Sequence, residues 1–127
     1  MTLEKVIARV RNLKSGYDVS DEDIIRYINE AEMEIISNVI SNREGDNEIV
    51  GTYGNYQLDT DRGFELLVPA PYDRIYEAYC AAQIDRDYEE AERYSVDMNV
   101  YNQLRQDFGV WWFRTHPQKK RYNFHIG

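Results

Sequence analysis

Apolar positions recur at helical spacing over most of the chain, and the pattern changes character once, near its middle. Leu3, Val6, Ile7, Val10 and Leu13 form one stripe. Thr2 opens it as an N-cap, and Ser15-Gly16 closes it, with glycine suited to the left-handed C′ position. The first helix is therefore predicted from Thr2 to about Lys14. A second starts at Ser20, with Asp23 three residues on as its capping-box partner and Asp21 and Glu22 facing the positive end of the dipole. Its stripe runs through Ile24, Ile28, Ala31, Ile35 and Val39, flanked by Ile25 and Ile36. Glu32 falls inside that stripe. A carboxylate there needs a partner, and Arg9 or Arg11 of the first helix is the candidate.

Residues 42–68 break the helical period. Four of the seven glycines lie here (Gly45, Gly51, Gly54, Gly63), with Asn, Asp and Thr between them. Tyr56 and Leu58 alternate with polar neighbours, and Phe64, Leu66 and Val68 alternate again after Asp59-Thr60-Asp61-Arg62-Gly63. That pattern predicts a β-hairpin with a glycine-containing turn, leaning on the helices or on a neighbouring subunit. Pro69 and Pro71 then bracket the start of a third helix, with Asp73 in its first turn. Tyr72, Ile75, Ala78, Tyr79 and Ala82 make one of its faces, and Tyr76, Cys80 and Ile84 much of another. A helix apolar on nearly all sides is buried on more than one side.

The fourth helix reads from about Glu89 to Phe113, with Tyr94, Met98, Tyr101, Leu104, Phe108 and Trp112 on one face. Val96, Val110 and Phe113 sit roughly opposite. The stripe slips between the third and fourth helices, which places a break near Asp87-Tyr88. The expected fold is mainly α: a compact bundle of about four helices, a glycine-rich β-hairpin insert (about 43–68) and an extended C-terminal tail. Residues 1–114 form a single helical domain, and 115–127 a basic, aromatic tail.

Composition narrows the function classes. A chain of 127 residues fits one domain able to bury a modest core. One cysteine, Cys80, excludes an intramolecular disulfide and favours a reducing compartment. No apolar stretch reaches the length of a membrane span, and Met1-Thr2-Leu3-Glu4-Lys5 has no signal-peptide core, so a non-membrane, intracellular protein is expected. The formal charge of −8 is unevenly placed. Arg114 to Gly127 carries four basic residues and no acid, which leaves a body of −12 joined to a tail of +4. Such a tail reaches for something acidic. Eleven tyrosines and two tryptophans exceed what one small core needs, and aromatics with a polar tip favour interfaces.

Catalytic patterns fail on inspection. Asp107-Phe108-Gly109 spells a kinase signature, but no phosphate loop or catalytic loop accompanies it, and its Phe lies on the core stripe. Asp59, Asp61 and Gly63 resemble the start of a calcium loop with the glycine one position early and no distal bidentate Glu. Glu89, Glu90 and Glu92 read as dipole compensation, and no helix supplies a suitably spaced His for a di-iron site. Cys80 sits mid-helix and reads as buried and inert. His116 and His125 lie in the last twelve residues, which starves histidine-based catalysis. No enzyme, cofactor or metal is expected.

Binding is the remaining class. The first two helices are spaced like a helix-turn-helix reader, but Asp21, Glu22, Asp23, Glu30, Glu32 and Glu34 stand against Arg26 alone, and phosphates would be repelled. The tail alone has a nucleic-acid composition, with Lys119-Lys120-Arg121 beside Tyr122 and Phe124. Its plainest reading is a solubilising terminus. Its sharper one is a docking arm built from Trp112, Arg114, His116, Lys119, Lys120, Arg121, Tyr122 and Phe124. Adjacent Trp111 and Trp112 cannot face the same side of a helix, so one of them is expected to meet a partner. The second faces of the third and fourth helices (Tyr76, Ile84, Val96, Val110, Phe113) are the expected oligomer interface.

One wider likeness covers nearly the whole chain. It is carried by Leu66-Leu67-Val68-Pro69-Ala70-Pro71-Tyr72-Asp73-Arg74-Ile75-Tyr76-Glu77-Ala78-Tyr79, by Ala82-Gln83-Ile84-Asp85, and by Glu92-Arg93-Tyr94. Tyr101-Asn102 and Trp111-Trp112-Phe113-Arg114-Thr115-His116-Pro117 complete it. Together these resemble the head–tail connector, or adaptor, proteins of tailed bacteriophages and prophages. The resemblance implies a small helical protein that assembles as a ring beneath the portal protein, at the head–tail interface of the virion after assembly in the host cytoplasm. It also implies an extended DNA channel, through which DNA passes without sequence-specific binding, and a platform for the next head-completion or tail protein. Family members engage the portal through a C-terminal segment, which corresponds here to Trp112–Phe124. An acidic channel wall that repels phosphate suits that role. From a different class, the alternative is a small nucleic-acid-binding regulator that uses the basic tail. A small enzyme built on the acid run is a third option.

Overall fold

Local capping chemistry sets the first two helices. The Thr2 hydroxyl accepts the Lys5 amide at 3.3 Å and starts α1 (Leu3–Leu13); the Ser20 hydroxyl accepts the Asp23 amide at 3.1 Å and starts α2 (Asp21–Ile35). A computed structural model describes residues 1–41, 43 and 46–118. Among them the fold is mainly helical, continuing with a π-turn over Ile36–Ile40, a short α3 (Asp46–Ile49), α4 (Arg74–Asp87) and α5 (Ala91–Thr115). α1 stops at Lys14, whose amide bonds the Val10 carbonyl, and Gly16 does not adopt the left-handed conformation expected of it. The Lys14 side chain turns inward instead, its Nζ 2.5 Å from the fully buried carboxylate of Asp85 on α4.

α4 is the central element. It packs against α1, α2 and, along its length, α5. Ile75, Tyr76, Ala78, Cys80, Ala81 and Ile84 are all buried, as a helix apolar on nearly every side requires. The Cys80 thiol points at the Ile24 carbonyl, and burial pushes its pKa far up, so it packs as an unreactive group. Phe108 of the kinase-like tripeptide is fully buried in α5.

A Schellman motif ends α4 and supplies the expected break. The Glu90 amide bonds the Asp85 carbonyl (2.9 Å) and the Glu89 amide bonds that of Arg86 (3.1 Å). Glu89 holds φ +57° at the position glycine usually takes.

The insert is not a β-hairpin. Among the described residues only isolated bridges occur, and its two apolar runs do not pair with each other. The backbone groups that a ladder would use are engaged elsewhere. Asn29 of α2 accepts the Tyr56 amide (2.8 Å) and donates to the Tyr56 carbonyl (3.3 Å). Leu3 donates to Phe64, and Leu66 to Met1, each at 3.0 Å. The Leu67 amide goes to Glu32 (3.1 Å), and the Val68 amide to the Tyr76 hydroxyl (2.9 Å). Asp61, read as a possible calcium-loop acid, accepts the Gln57 amide and closes a turn.

Glu32 is therefore the anchor of the insert, and neither Arg9 nor Arg11 is its partner. Arg9 pairs with Glu77 and Arg11 with Asp21. The fully buried Glu32 carboxylate instead accepts the hydroxyls of Tyr56 and Tyr76 (the latter at 2.6 Å) and the Leu67 amide. Gly54 beside it has φ +82°, and a Cβ there would lie 3.0 Å from the Met33 sulfur, so glycine suits this position. Burial raises the Glu32 pKa above the ordinary carboxylate range, and the hydrogen bonds pull it partly back.

Candidate assembly face

α5 presents two contrasting faces. Inward, Tyr101, Phe108 and Trp112 are buried, and Arg105 and Tyr101 tie the helix to α2 by bonding Glu34 at 2.8 and 3.0 Å. Outward, Val96, Val100, Val110 and Phe113 are 62%, 39%, 45% and 42% exposed. At helical spacing the three valines fall within about 80° of arc, with Phe113 about 60° further round. From Val96 to Phe113 this band runs about 26 Å along the helix axis.

Charge is sparse on this band. Of the exposed residues from Ser95 to Arg114, only Asp107 and Arg114 are charged, both within the valine arc; the others include Asn99, Asn102, Gln103 and Gln106. In a chain that is 30% charged, a long helix face of valine, phenylalanine and uncharged amides has the composition of an interface centre. A groove of about 480 Å³ lies beside it, with Val39, Gly109, Val110 and Phe113 among its walls. Arg43 places its guanidinium 4.1 Å from the centre of the Phe113 ring, a cation–π contact that keeps a positive charge at this end of the helix.

The expected interface residues divide into two groups. Val96, Val110 and Phe113 lie on the outward band. Tyr76 and Ile84 do not: both belong to the chain's own core, Tyr76 bonded to Glu32 and Ile84 enclosed on α4. The burial on more than one side read from the α4 pattern is supplied within one chain, by α1, α2 and α5. Val100 was missed, although Val96 and Val100 are an i, i+4 pair and the amide-rich stretch between charges was visible.

The docking-arm residues are also separated. Trp112 is buried, stacked on the His116 ring (3.6 Å, 4°) and against Phe108 (5.7 Å), so it is not a free contact. Trp111 is half-buried against Tyr72 and Phe108. Both tryptophans are thus received by one intramolecular aromatic cluster, and the side-by-side argument for a partner fails because Tyr72 and His116 provide the second wall. Arg114 is exposed and His116 partly so. Lys119, Lys120, Arg121, Tyr122 and Phe124 lie outside the described residues.

Elsewhere the titratable groups serve structure. Lys14 reaches Asp97 at 3.7 Å as well as Asp85, and the Asp97 carboxyl is pushed up to about 6 by burial first and then by neighbouring Asp85. Asp85 Oδ2 is buried with no hydrogen-bond partner among the described residues. Glu90 of the acid run accepts the Tyr17 hydroxyl at 2.5 Å. Among the described residues no cluster of His, Cys, Asp and Glu is placed to hold a metal ion, and no helix is long and apolar enough to cross a membrane. No protein-family model, curated protein or solved structure matches the chain.

Proposed function

We propose that this chain is a non-catalytic structural protein, a head–tail connector that assembles into a ring below a phage portal and extends the DNA channel. The observation that carries the assembly part is the charge-poor, aliphatic outer band of α5, which the chain's own core does not cover. Connector identity rests on the resemblance of the proline- and aromatic-rich stretches 66–85 and 92–117. In this reading Val96, Val100, Val110 and Phe113 meet a neighbouring copy. The segment 118–127, with Lys119, Lys120, Arg121, Tyr122 and Phe124, engages the portal. The acidic remainder borders a channel along which DNA slides without adhering, and the opposite end of the ring receives the next head-completion or tail protein.

Removal of residues 118–127 tests the arm, because it leaves the His116–Trp112 stack in place. The truncated chain is expected to keep its helical circular dichroism and to lose co-sedimentation with the portal protein of the same phage. Undiminished portal binding by the truncated chain contradicts the docking role. Retention of the full chain on duplex DNA at low salt, lost on truncation, would instead support the nucleic-acid-binding regulator.

A further inference from the structure

We propose that copies of this chain join head to tail, the basic aromatic end of α5 on one copy seating in the acidic apolar groove between α2 and the insert of the next. The inference rests on the assembly reading and specifies its geometry. The groove, about 620 Å³, is the larger of the two open depressions described. Its walls include Ile25, Met33, Tyr56 and Leu58, and Met33 is 51% exposed. An unbranched, adaptable thioether left open in a groove suits the reception of an aromatic ring. Glu22, Glu30 and Asp59 line the same groove. Arg26 is its single cation, and it is already engaged by Asp23 at 3.2 Å.

The complementary feature lies at the C-terminal end of α5. Phe113 projects with Val110 one turn before it, the Arg43 guanidinium lies against its ring, and exposed Arg114 follows. Neither Arg43 nor Arg114 forms an ion pair among the described residues. One patch is therefore apolar with two unpaired positive charges, and the other is apolar with an excess of negative ones. Pairing either patch with its own copy would set like charges face to face, whereas pairing one with the other opposes unlike charges. The two patches are different surfaces of the chain, one on α2 and the insert, the other at the end of α5. A contact between them is heterologous, and repetition of a heterologous contact closes a ring or extends a filament.

Two thiol variants test this directly, since Cys80 is buried and stays silent. Met33→Cys and Phe113→Cys chains, mixed and treated with a short bifunctional thiol reagent, are expected to cross-link to each other. Neither variant alone should give a dimer. A dimer of Phe113→Cys chains alone would show a symmetric contact, overturning the head-to-tail geometry while leaving assembly intact. Charge reversal supplies a second readout: Arg43→Glu should weaken self-association about tenfold or more, and adding Asp59→Lys in the same chain should restore it. Loss in the single variant without recovery in the double one counts against the proposal. A chain that stays monomeric to about 1 mM, alone and with portal, overturns both this geometry and the assembly reading.

Discussion

α4 and α5 lie side by side and differ in what they leave open. α4 is enclosed: apolar side chains cover it from three helices, and even its carboxylate Asp85 is compensated from inside by Lys14. α5 is nearly twice as long, yet only Tyr101, Phe108, Gly109 and Trp112 on it are buried. The contrast shows that a second apolar face has two meanings. On α4 it completes the protomer; on α5 it remains, with few charges, for something else.

Substitutions at the two kinds of position should separate these meanings. Phe108→Ala, at the α4–α5 seam, is expected to cost about 3–5 kcal/mol in urea unfolding. Glu32→Ala leaves two tyrosine hydroxyls and the Leu67 amide without their acceptor, at a cost of about 2–4 kcal/mol. It should also expose residues 50–66 to limited proteolysis, because the insert has no strand ladder of its own.

Acid titration probes the enclosed side further. The Asp97 carboxyl binds its proton more tightly folded (about 6) than its ordinary value of 3.8. Between those values the native state therefore holds more protons than the unfolded chain. Its contribution to stability is greatest below pH 4, declines as pH rises to about 6 and is constant above. Asp97→Asn should remove that part of the slope, read as the difference between the two chains in thermal unfolding across pH 4 to 7. Glu32 acts in the same direction and is common to both.

Smaller effects are expected at the connection and on the outer band. Glu89→Gly relieves a left-handed non-glycine residue and should stabilise by about 0.5–1 kcal/mol. Val110→Ser and Phe113→Ser should each change stability by no more than about 0.5 kcal/mol, while self-association falls. A large loss of stability at either position would place it with the enclosed side.

How much of this was legible in the sequence follows from the range of the interactions involved. The caps of α1 and α2 and the break after Asp87 were readable because hydroxyls and chain turns act over three to five residues. The insert was not. Period-two alternation at Tyr56–Leu58 and Phe64–Val68 predicts strands, but Asn29, Glu32 and Tyr76, distant in the chain, take the hydrogen bonds that a hairpin needs. Glu32 was correctly read as a buried acid. Its partners were neutral hydroxyls and amides, which no charge pattern reveals. Periodicity found the second faces of both long helices and could not tell that α1 and α2 cover one of them. The arm beyond Gln118 rests on sequence alone.

The claim that α5 is an assembly face is tested most directly by native mass measurement of the chain, alone and mixed with the portal protein proposed as its partner. The parent chain should form a closed oligomer of fixed stoichiometry, at the latest in the mixture. The Val110→Ser, Phe113→Ser double variant should remain monomeric in both, with unchanged circular dichroism. A parent chain that stays monomeric with portal present, or a double variant that assembles as the parent does, would contradict the account.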